Sequence, residues 1–197
     1  VDLLILREPS QYPEPGHHYR GTDREGPQYV TELPEEHPAN QVFLRYLDAV
    51  GRDQLLHDKA QARSIVEAYG QLDPPQTFEI VEVTRDDQEP ALPGELLGYD
   101  VAALSGSMSL SKGGLDLDQL KAYQADPAAV EPLMPLIALV TEHFRPQFNA
   151  FGLFRDYATA EFCYACIVAL YRLRPALSMG WELDSAEHWT VLGVWRV

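Results

Sequence analysis

Val42, Phe43, Tyr46, Leu47 and Val50 recur at helical spacing and form one apolar stripe that stops at Gly51. A second stripe, Ala62, Ile65, Val66 and Tyr69, runs to Gly70, with Asp53 placed to cap its helix. A link this short predicts an antiparallel helical hairpin. Beyond it the period changes. Residues 76–84, QTFEIVEVT, are β-branched and alternating, and residues 95–104, ELLGYDVAAL, read as a second strand after the turn RDDQEPALPG. These two strands are expected to pair, and SGSMSLSKGG either extends the second or makes a third.

Helical spacing returns in LDLDQLKAYQ and then in Leu133, Leu136, Ile137, Val140 and Phe144, which Pro146 closes. Asp156 can cap the next segment, YATAEFCYACIVALYRLR, which is apolar nearly all round and is therefore expected to be a buried, central helix. At the end, Trp189, Val191, Trp195 and Val197 alternate with Thr190, Leu192, Val194 and Arg196, and the larger set marks the predicted core face. Val1 to Leu6 reads as a short opening strand. The pattern as a whole predicts a single α+β domain over residues 1–197: a mainly antiparallel sheet packed against four to five helices, one of them central and apolar.

Residues 9–38 break the pattern. Six prolines, three glycines and three tyrosines lie between Pro9 and Pro38, with no sustained period. Proline removes backbone donors, so neither a long helix nor an inner strand runs through this segment. A connection of that length usually carries function, and its tyrosines are suited to packing or binding.

Charge narrows the function classes. Thirty Asp and Glu against fifteen Lys and Arg leave a formal net charge of −15. Nucleic acid and anionic membrane surfaces are poor partners for such a chain, whereas a basic protein would be steered toward it. Only Lys59, Lys112 and Lys121 are lysines, an arginine bias that fits a GC-rich bacterial genome. The two cysteines do not make a disulfide framework, the N-terminal run lacks a basic flank, and the longest apolar stretch is too short to span a bilayer. A cytoplasmic protein is the expectation.

Four stretches invite a chemical reading. Ser105, Ser107, Ser109 and Ser111 lie in a loop with neither the G-x-S-x-G elbow nor a P-loop, since Lys112 precedes its glycines; a connector is expected. His17, His18, Asp23 and Glu25 are possible metal ligands without the spacing of a known site, so neither a metal nor another cofactor is expected. Cys163 and Cys166 form C-x-x-C inside an apolar helix, away from the N-terminus that would activate a thiol. The strongest local signal is electrostatic. Seven acids and one arginine lie between Glu79 and Asp100, with Asp86, Asp87 and Glu89 crowding the turn. The basic residues Arg145, Arg155, Arg172 and Arg174 come late, so the molecule is expected to be dipolar.

These features favour a non-catalytic protein-binding module, inhibitor- or immunity-like, that takes a basic partner. Its candidate contact residues are Glu82, Asp86, Asp87, Glu89, Tyr12, Tyr19 and Tyr29. The alternative is a hydrolase or metal-dependent enzyme whose site is formed by the 9–38 loop.

Overall fold

In the computed structural model, residues 1–8, 26–52, 55–103, 131–173 and 189–197 are described. They begin with strand β1 (Leu3–Arg7) and continue through helices α1 (Pro38–Ala49) and α2 (Lys59–Gly70) to strands β2 (Phe78–Arg85) and β3 (Glu95–Ala103). A 3-10 turn (Glu131–Leu133) leads into α3 (Met134–Phe144), a second (Arg145–Gln147) follows, and α4 (Tyr157–Leu173) and β4 (Trp189–Arg196) complete the order. The architecture is α+β, with one four-stranded antiparallel sheet and four α-helices among the described residues.

The strand order is β1-β2-β4-β3, which corrects the expected β2–β3 pairing. β4 lies between them, with Val83 opposite Val194 on one side and Val101 opposite Val191 on the other. Skipping one strand means crossing about 10 Å, which the connection 86–94 spans easily. A two-residue turn would have forced direct pairing; this connection carries Pro90 and Pro93 instead. Alternation in β4 is as read, yet both of its faces are covered: Val191, Leu192 and Val194 are all buried. A central strand in a sheet packed on both sides has no solvated face.

Register explains the packing. Leu3, Ile5, Phe78 and Ile80 present one face of β1 and β2 to Val42, Ala62, Ile65 and Tyr69 of the first two helices. Farther along that face, Tyr99, Val101 and Val191 meet Phe144 of α3 and Ala160 and Cys163 of α4. Leu4, Leu6, Val81, Val83 and Val194 point the other way and are covered by Leu55 and Leu153 from connecting segments.

Helix ends follow their capping chemistry. His37 accepts from the Ala39 amide ahead of Pro38, and Asp156 accepts from the Thr159 amide at 2.8 Å, as expected for α4. The cap of α2 is Asp58, which accepts from the Ala60 and Gln61 amides; Asp53 lies outside the described residues. The helix starts late because residues 55–56 are extended, with Leu56 bridged to Leu3 and both leucines 1% exposed. The link between α1 and α2 is thus longer than a tight helical hairpin allows.

α4 is not enclosed on every side. Ala160 and Cys163 face the sheet, while Ala158, Glu161, Phe162, Ala165 and Ala169 are exposed. Alanine accepts either environment at little cost, which is why hydropathy made the helix look apolar all round. The predicted elements at 105–124 lie outside the described residues.

Candidate protein-docking surface

The seven acids between Glu79 and Asp100 divide sharply by environment. Glu79 accepts from Arg196 Nε at 2.9 Å, and Glu95 from Arg196 Nη1 at 3.3 Å, with the guanidinium 5.5 Å from the centre of the Phe151 ring. Asp100 is fully buried. Glu82, expected at the docking face, is 3% exposed; its two oxygens accept from the Ala91 and Leu92 amides at 2.6 and 2.9 Å. It anchors the turn from within and offers no charge outside. Asp86, Asp87 and Glu89 remain exposed at the tip.

That tip is held in one shape. Asp86 adopts φ 53°, a left-handed conformation that Asp tolerates better than most residues. Its amide donates to the Val191 carbonyl at 2.8 Å, and the Thr190 hydroxyl donates to its carboxylate at 3.1 Å, tying the turn to β4. The Tyr99 hydroxyl donates to Asp87 at 2.8 Å, and the Tyr99 ring meets Tyr157 edge-on at 5.8 Å. Tyr157 opens α4, and so brings Asp156 and Glu161 into the same field.

Both tyrosines report that field. Burial first, then the bond to Asp87 and the charges of Asp87, Glu89 and Asp156, pushes the Tyr99 phenol up from 10.0 to about 12. Burial and then Glu161, Asp86 and Asp87 raise Tyr157 as well. A phenol harder to ionise in the fold than in the unfolded chain stabilises below its unfolded value, and that stability is lost as pH rises toward the folded one. Thermal stability should therefore fall between pH 10 and 12, and Tyr99→Phe should flatten part of the fall. Melting curves across that range check this; an unchanged slope in the variant would count against it.

The remaining sequence candidates are placed as follows. Tyr29 is 39% exposed and meets Phe43 of α1 edge-on at 5.9 Å. Asn40 holds that neighbourhood: its Oδ1 accepts from the Val30 amide, and its Nδ2 is shared among the carbonyls of Val30, Leu33 and Pro34. Tyr12, Tyr19, His17, His18, Asp23 and Glu25, and the four serines, lie outside the described residues. Among the described residues no group of three or more His, Cys, Asp or Glu is arranged to hold a metal ion. Burial pushes the Cys163 and Cys166 thiols up, the opposite of what thiolate chemistry needs. No helix among the described residues is long and apolar enough to cross a membrane.

Sequence reasoning found the acidic tip but missed its neighbours. Asp156 and Glu161 lie some seventy residues downstream of it, and the packing of Tyr157 on Tyr99 unites them. Comparison with family models, with curated proteins and with solved structures finds no match to this chain.

Proposed function

We propose that this is a non-catalytic binding module that docks a basic protein against the 86–89 turn. The observation supporting this reading is that Asp86, Asp87 and Glu89 project from a turn fixed by Glu82, Thr190 and Tyr99, beside the exposed acids Asp156 and Glu161. Exposed carboxylates crowded together repel one another even where neutral hydroxyls bond to them, and a cationic partner relieves that repulsion. A fixed turn adds little ordering cost on binding. The net charge of −15 attracts such a partner from a distance.

The test is retention from native lysate at low and high salt, run in parallel with an Asp87→Lys/Glu89→Lys variant. A basic protein retained at low salt, released by salt and lost in the variant supports the reading. With that protein purified, the reversal should slow association by at least about tenfold at low salt, while the melting temperature falls by a few degrees because Asp87→Lys removes the acceptor of the Tyr99 hydroxyl. Retention indifferent to the reversal, or no retention at either salt, would sink the proposal. The hydrolase alternative rests on His17, His18, Asp23 and Glu25, and no observation favours it.

A further inference from the structure

The most exposed large apolar side chains among the described residues are Leu139, at 62%, and Phe162, at 57%. They stand on adjoining helices. His143, one turn beyond Leu139 on α3, packs edge-on against the Phe162 ring of α4 at 6.3 Å, and Leu136 extends the stripe by another turn with 39% exposure. The surface is continuous with the core, because Phe162 also meets Phe144 at 5.6 Å and Phe144 is 1% exposed. A side chain supported from beneath in this way makes a rigid anchor, and contiguous exposed apolar area marks an interaction surface where single residues would not.

The charges around it select the occupant. Glu142 and Glu161 are exposed on the two helices, and the exposed arginines Arg145 and Arg155 flank the same elements. A basic partner held at the acidic turn would meet Arg145 and Arg155 if it reached this far, and a second acidic tip would be repelled by the glutamates. A patch with both signs at its rim can complement itself across a two-fold axis, glutamate against arginine. On a chain of net charge −15, arginines at the rim lessen the like-charge repulsion between copies.

We propose that the α3–α4 face joins two copies of this chain as a symmetric dimer. This goes beyond the binding of a basic partner and stands or falls separately, since its apolar anchors are not part of the acidic turn. The experiment is light scattering coupled to size exclusion, over loading concentrations of roughly 1–100 µM, a range that detects micromolar self-affinity. The expected result is a mass approaching twice the 22.2 kDa of one chain for the wild type. Leu139→Glu and Phe162→Glu, each at a solvent-facing position and compatible with folding by circular dichroism, should each return it to the mass of one chain. A wild type that stays at one chain mass at the highest concentration overturns the proposal. So does a dimer that persists in both variants.

Discussion

Replacing Gly98 with alanine should lower stability by about 3 kcal/mol, equivalent to a fall in Tm of roughly 6–12 °C for a chain of this size. Two costs combine. Gly98 has φ 144°, a region that side-chain-bearing residues rarely enter, at the irregularity where β3 shifts register against β4. A methyl group there would also lie 2.6 Å from the Phe154 carbonyl oxygen and 2.8 Å from Leu153 Cβ. Backbone cannot yield as a flexible side chain does, so the strain passes into the paired Tyr99–Phe154 amide bonds and into the Asn149 Nδ2 bond to the Leu97 carbonyl. Differential scanning calorimetry of the variant decides it; a Tm within about 1 °C of wild type would show that the segment moves aside at no cost.

Asn40→Ala carries the second large effect, about 2–4 kcal/mol. Asn40 is fully buried, and the groups it serves, the Val30 amide and three carbonyls from 30–34, would be left without it. The cost of stranding buried polar groups exceeds the net worth of the bonds themselves. Asn40→Asp separates the two halves of the argument. It keeps an acceptor for the Val30 amide but loses the donor and turns a buried negative charge toward carbonyl oxygens, so it should be at least as damaging as alanine at neutral pH. An aspartate variant as stable as wild type, by urea unfolding, would show that the donor side is dispensable.

The sequence was readable where the signal was local. Capping by Asp156, the stripe of α2, that of α1 apart from Leu47, which is exposed, and the alternation of β4 all depend on neighbours a few residues apart. What it withheld depends on tertiary partners. Alternation says which face a residue takes but not which strand lies beside it, so the insertion of β4 between β2 and β3 could not be seen. Glu82 and Asp87 carry the same charge five residues apart. One is sealed against backbone amides and the other is exposed at the tip, and nothing in the local pattern tells them apart. Asp58 and Asp53 pose the same problem for α2, decided by two buried leucines that pull the chain into an extended path first.

The position of β4 also makes completion of the sheet a non-local event. It comes last of the four strands, yet β1–β2 and β3 are joined into one sheet only through it. Until that strand arrives, β2 and β3 each present an unfilled edge toward the gap it will occupy, and every pairing it makes, down to Ala103 opposite Trp189, closes a long loop. Such loops are slow to close. The β1–β2 ladder, from Arg7 opposite Phe78 to Leu3 opposite Glu82, closes loops nearly as long, so the whole sheet is built from non-local pairings and becomes a single body only when β4 is in place.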